Sequence, residues 1–119
     1  MWTYSQGTGA LTDPSGRKVA TGYSGKGHGK NNCDMQHIPS VGPIPRGLWV
    51  IGKPRDSKNV GPFAMDLRPV PGTETFGRWA FMIHGDNRTG TASEGCIILP
   101  RRVRHLIWDS GERKLMVVK

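Results

Sequence analysis

The sequence is short of acid, of cysteine and of uninterrupted apolar stretches, and each shortage excludes something. Across 119 residues, 9 Asp and Glu stand against 17 Lys and Arg, a net charge of +8. Such a surface attracts polyanions such as nucleic acid, acidic membranes or the anionic bacterial wall, and charge alone does not choose among them. Two cysteines, Cys33 and Cys96, allow at most one disulfide, which excludes a disulfide-built scaffold. No apolar run approaches the roughly 18 residues of a membrane span, which argues against membrane insertion. The opening Met1-Trp2-Thr3-Tyr4-Ser5-Gln6 has neither the basic stretch nor the apolar segment of an export signal, so synthesis in the cytoplasm without a signal peptide is expected. There is no internal repeat and no separable linker. The length fits one domain over residues 1–119, and 35% hydrophobic residues with 4 Trp suffice for a core.

What is abundant is punctuation. Seventeen glycines and 9 prolines, scattered rather than clustered, cut the chain into short segments and favour strands and turns over long helices. Trp2 to Tyr4, Lys18 to Ser24, Leu48 to Ile51, Ala64 to Leu67, Trp79 to Ile83, Cys96 to Leu99 and Lys114 to Val118 read as strands. Asp13-Pro14-Ser15-Gly16 reads as the turn of a hairpin between the first two. One helix is expected over Pro100 to Asp109, with Pro at its opening, Val103, Leu106 and Ile107 on one face and Gly111 beyond its end. Arg101, Arg102 and Arg104 then form a basic face at the helix start, where the dipole disfavours them. Gly25 to Pro45 reads as a long loop, and loops of that length in a small domain often carry function.

Two residues invite chemistry. His84 closes the apolar run Phe81-Met82-Ile83 where the chain enters the polar turn Gly85-Asp86-Asn87, a place where a base is accessible. Twelve residues further on, Cys96 stands at the mouth of another strand after Gly95, which permits close approach of a substrate or a second backbone. A cysteine nucleophile needs such a partner, because free thiols are mostly protonated near neutrality. Backbone amides around Gly95 and Cys96 are candidate oxyanion donors, each worth roughly 3 kcal/mol in acyl transfer. Spacing alone is equally compatible with a structural cysteine and a satisfied histidine. Cys33-x-x-x-His37 with His28 nearby matches no established zinc spacing, so no metal is expected.

Taken together, the motifs resemble a known family. His84-Gly85 followed by Ser93-x-Gly95-Cys96-Ile97, with Gly42-Pro43-Ile44-Pro45-Arg46-Gly47-Leu48-Trp49 before them, is similar to the L,D-transpeptidase (YkuD-like) catalytic domain. With Trp2-x-Tyr4, Tyr23-Ser24-Gly25, Asn31-Asn32 and Ala92-Ser93-Glu94-Gly95-Cys96-Ile97 added, nearly the whole chain resembles the Tlde1 type VI secretion effectors. The resemblance implies a mainly β, sandwich-like fold with one short C-terminal helix, Cys96 as nucleophile and His84 as general base. The group that orients the imidazole would be the backbone carbonyl of Gly85 or a side chain such as Ser93. Tyr23, Asn31, Asn32, Arg46 and Gly95 would shape the substrate groove, although turn chemistry explains the two Asn nearly as well. Glu94 departs from the wider pattern, which has a second histidine there.

The implied activity is L,D-carboxypeptidase or L,D-transpeptidase chemistry on peptidoglycan tetrapeptide stems, without a cofactor. Such an effector would act in the periplasm of a target bacterium, with a secretion apparatus and a cognate immunity protein as its other partners and no role for nucleic acid. The competing reading is a nucleic-acid-binding module, motivated by the +8 charge and the Arg101-Arg102-x-Arg104 cluster beside Trp108.

Overall fold

Trp2 and Tyr4 alternate with Thr3 and Ser5, and the computed structural model, which describes residues 1–119, turns the two aromatics inward on strand β1 (Trp2–Ser5). The chain continues through β2 (Ala10–Thr12), β3 (Lys18–Thr21), β4 (Tyr23–Ser24), β5 (Gly47–Ile51), β6 (Arg55–Ser57), β7 (Gly61–Pro69), β8 (Met82–His84) and β9 (Ile97–Ile98) to helix α1 (Arg101–Asp109) and β10 (Lys114–Val118). The fold is mainly β with one helix near the C-terminus, as the sequence leads one to expect.

The strands form a mixed sheet in the order β3-β2-β1-β10-β5-β7-β8-β9-β4, with β6 added on β7. Only β1–β10 and β8–β9 pair in parallel. Strands far apart in this order bury side chains in one cluster: Trp2 and Tyr4 from β1, Trp49 and Ile51 from β5, Ile83 from β8 and Ile97 from β9. The sheet therefore wraps over its own core. Val103 and Ile107 bring the helix onto that core, each with no exposed surface.

Several elements differ from the sequence reading. The Asp13 turn forms, its Oδ1 accepting from the amides of Ser15 and Arg17, but it joins β3 to β2, a strand the sequence did not suggest. Lys18 to Ser24 is two strands rather than one. The chain breaks at Gly22, whose amide turns to Gly9 O, and β4 crosses to pair with β9. The strand expected from Trp79 begins only at Met82, because Ala80 has φ +66° and ends the extended conformation. On α1, Leu106 is half exposed and Arg104, only 3% exposed, takes the inward place expected for it. The basic face is thus reduced to Arg101 and Arg102. The helical residue after Arg104, His105, stacks its ring on Phe63 at 3.8 Å between centroids.

Candidate active site

The parallel register of β8 and β9 aligns Ile83 with Ile97 and His84 with Ile98. Side chains two apart share a face, so Cys96, two residues before Ile98, lies on the His84 side of the sheet, one rung displaced. Strand spacing and rise put two such Cα atoms about 8 Å apart, a distance that two side chains leaning together can close. No hydrogen bond joins thiol and imidazole in this resting arrangement; the thiol instead points at Ala80 O, 3.8 Å away.

His84 is buried, 2% exposed, and its Nδ1 lies 2.8 Å from Gly85 O. A carbonyl can only accept, so Nδ1 carries the hydrogen and Nε2 keeps the free lone pair of a base. Burial, helped by the Arg104 guanidinium, holds the imidazole below its ordinary pKa, against opposing pulls from the Gly85 carbonyl and Asp86. The ring is therefore neutral at neutral pH. Burial also pushes the half-buried Cys96 thiol up to about 11, only partly offset by the Met82 amide and the Arg78 cation. The pair rests as neutral thiol and neutral imidazole. That arrangement suits proton transfer at the moment of attack rather than a standing thiolate.

The turn that presents Cys96 is fastened from beneath. Ser93 Oγ, fully buried, donates to Cys96 O at 2.6 Å and accepts from the amides of Gly25 at 2.9 Å and Gly95 at 3.1 Å. Gly95 has φ +135°, and a side chain there would stand 2.5 Å from Arg78 Nη2 and 3.1 Å from Phe81 Cε1, so only glycine fits before the cysteine. Arg78 is 8% exposed and donates to the carbonyls of Gln36, Pro43, Gly42 and Glu94, tying the long loop to the cysteine turn.

Three surface grooves meet at Ala80. One of about 310 Å³ runs between Pro39, Trp79 and Cys96, a second of about 710 Å³ passes Cys96 toward Asn59 and Val60, and a third of about 390 Å³ lies beyond Trp79. Asn59 and Val60 also border a pocket of about 270 Å³ that reaches His84. Trp79 is 84% exposed, an indole standing open between the first groove, which holds the thiol, and the third, which does not reach it. The strained Ala80 beside it fits the tendency of such backbone to collect at functional sites.

Of the residues singled out in the sequence, Cys96, His84, Ser93, Gly85 and Gly95 come together. The carbonyl of Gly85, not Ser93, contacts the imidazole; every bond of Ser93 goes to backbone. Tyr23 sits at the margin, its hydroxyl donating to Asp86 at 2.5 Å and accepting from the Ala92 amide at 3.0 Å, so it closes the loop between His84 and Cys96. Burial and Asp86 push its hydroxyl up to about 12. Asn31, Asn32 and Arg46 do not line the grooves at Cys96 or His84. Asn31 Oδ1 accepts from Ser24 N, Asn32 caps the turn at Asp34, and Arg46 leans on Gln36. Cys33 and Cys96 are both free thiols, and His28, Cys33 and His37 form no metal-holding cluster. Arg78 and Trp79 carried no signal of a functional role, since Trp79 reads only as the start of a strand and Arg78 as the residue before it. Arg104 had one, since position 104 lies three before Ile107 on the helix.

A family model of the Tlde1 domain matches residues 18–119. No curated protein and no solved structure matches the chain.

Proposed function

Since the chain belongs to the Tlde1 domain family, a family of type VI secretion effectors, we propose that it is a cysteine-dependent L,D-carboxypeptidase, or L,D-transpeptidase, acting on peptidoglycan tetrapeptide stems. The observation that carries this reading is the pairing of an accessible thiol, Cys96, with a buried imidazole on the neighbouring strand whose Nδ1 is occupied by Gly85 O and whose Nε2 is free.

The chemistry follows from those groups. Cys96 Sγ attacks the diaminopimelate carbonyl while its proton passes to His84 Nε2. The tetrahedral intermediate collapses as that proton moves to the departing amine, and D-alanine leaves, with the tripeptide stem held as a thioester on Cys96. Water attacks the thioester with His84 again as base, releasing the tripeptide and regenerating the thiol. A D-amino acid in place of water gives exchange. The Gly95 amide is committed to Ser93 Oγ, so of the two amides at the turn Cys96 N–H is the one to face the oxyanion. A surface of charge +8 favours approach to an anionic wall.

On this reading the place of action is the periplasm of a target bacterium, with a secretion apparatus delivering the protein and an immunity protein guarding the producer. Two measurements test it. Purified protein given disaccharide tetrapeptides and pentapeptides should shorten the former and largely spare the latter. Release of the terminal alanine from pentapeptides in preference would overturn the L,D assignment. The protein should also be tolerated in the cytoplasm and damage cells when fused to an export signal. Damage confined to cytoplasmic expression would favour the nucleic-acid reading.

A further inference from the structure

A second buried guanidinium serves the histidine side of the site. Arg104, on the inner face of α1, donates from Nη1 to Leu99 O at 2.6 Å, from Nε to Phe63 O at 3.1 Å and from Nη2 to Pro62 O at 3.4 Å. It has no carboxylate partner, since the ion pairs of the chain all lie elsewhere. A buried cation held only by backbone carbonyls is costly to keep, which asks what it does there.

Its position answers. A side chain at residue 85 would lie 2.8 Å from Arg104 Nη1, 3.3 Å from Nη2 and 3.4 Å from Cζ, so the guanidinium occupies the space that a Cβ there would need. Gly85 shows no left-handed φ, so its backbone conformation does not itself demand glycine. The demand comes from the arginine. Gly85 supplies the carbonyl that holds His84 Nδ1, and the His84 carbonyl in turn accepts from Leu99 N at 3.1 Å. Leu99 is thus held at both of its backbone groups, its N–H by the histidine strand and its C=O by Arg104.

We propose that Arg104 is the positioning residue for the catalytic imidazole: its guanidinium packs against the Gly85 peptide and ties it to Leu99 and to the β7 entrance at Pro62 and Phe63, fixing the carbonyl that orients His84. Arg104 touches no substrate and acts through Gly85. The charged groups acting on the ring are Arg104 from the helix and Asp86 from the following turn, with Cys96 neutral on the neighbouring strand. Of these, Arg104 opposes protonation, adding to the burial that is the larger cause of the lowered pKa.

This inference rests on His84 being the base, and the experiment separates the two. Wild-type protein is first assayed on tetrapeptide stems; no turnover, or turnover that survives Cys96→Ala, refutes the enzymatic reading itself. Given activity, Arg104→Met, which keeps much of the volume and removes fork and charge, should lower kcat/KM at least 10-fold. It should also move the acid limb of the pH profile and the NMR titration of His84 upward. Gly85→Ala should lose activity while remaining folded, because its methyl group meets the guanidinium, and in an Arg104→Met background the same substitution should cost much less. The proposal is overturned if Arg104→Met leaves the rate and the His84 titration unchanged, or lowers the rate with the titration unmoved, or if the two substitutions are additive. Should Arg104→Met fail to fold, Gly85→Ala alone reads the contact, and full activity in that variant overturns the proposal.

Discussion

Replacing Gly95 by alanine should damage the protein as a folded object and not only as a catalyst. The backbone there has φ +135°, a region that residues with a Cβ occupy at a cost of about 1–3 kcal/mol. The new methyl group would stand 2.5 Å from Arg78 Nη2, an atom that cannot swing aside because it is donating to Gly42 O at 2.9 Å and Glu94 O at 3.2 Å in a site that is 8% exposed. Displacing it leaves buried carbonyls short of a charged donor, about 1.5–3 kcal/mol more. A loss of about 2.5–6 kcal/mol is therefore expected. At about 4 °C per kcal/mol for a chain of this size, the melting temperature should fall by about 10–24 °C. Urea unfolding followed by circular dichroism gives the free energy, and thermal unfolding gives the midpoint. A Gly95→Ala protein within 1 kcal/mol of wild type would mean that the glycine before the cysteine is not explained by Arg78, and that the turn yields in a way the packing does not allow.

Other outcomes follow from the same contacts. Ser93→Ala strands two buried amides and a carbonyl, and should cost about 2–5 kcal/mol in urea unfolding; a loss below 1 kcal/mol would show that the hydroxyl is not the fastening of the turn. Cys33→Ser should retain full turnover, since that thiol is free and lies against Gly7, and inactivation would show that the wrong cysteine has been assigned. Iodoacetamide should modify Cys96 slowly at neutral pH and ever faster toward a pH of about 11, which peptide mapping of the alkylated protein would follow; a plateau at neutral pH would reveal a standing thiolate. Because the folded imidazole binds its proton less readily than the unfolded one, its share of stability is intact above the unfolded pKa of about 6.5 and is lost as pH falls through the folded value. His84→Gln should remove that part of the acid dependence, seen by comparing unfolding free energies across the acid range, and identical pH dependence in the two proteins would contradict it.

The parts legible in the sequence were those set by local pattern. Val103 and Ile107 announced the helix and its inner face, the alternation at Trp2 and Tyr4 announced a strand, and the thiol and imidazole each stood at the end of an apolar run. What the sequence concealed was decided by distant partners. Trp79 sits in a segment rich enough in aromatic and apolar residues to read as a strand, yet Arg78 is drawn to four carbonyls outside it and Ala80 turns the chain. Helical spacing puts Arg104 on the inner face, but that a charged side chain stays buried there depends on the carbonyls of Leu99, Phe63 and Pro62. Ser93 and the carbonyl of Gly85 were equal candidates for the imidazole until the β4 crossing brought Gly25 within reach of the serine hydroxyl and engaged it there.

The claim that Cys96 becomes acylated is the one on which the account turns, and intact-mass spectrometry during turnover tests it most directly. Protein mixed with disaccharide tetrapeptide and quenched in acid should gain the mass of the tripeptide stem as an acyl group, peptide mapping should place it on Cys96, and Cys96→Ala should show no adduct and no tripeptide. Tripeptide formed steadily by the Cys96→Ala protein, or an adduct carried on Cys33 instead, would contradict it.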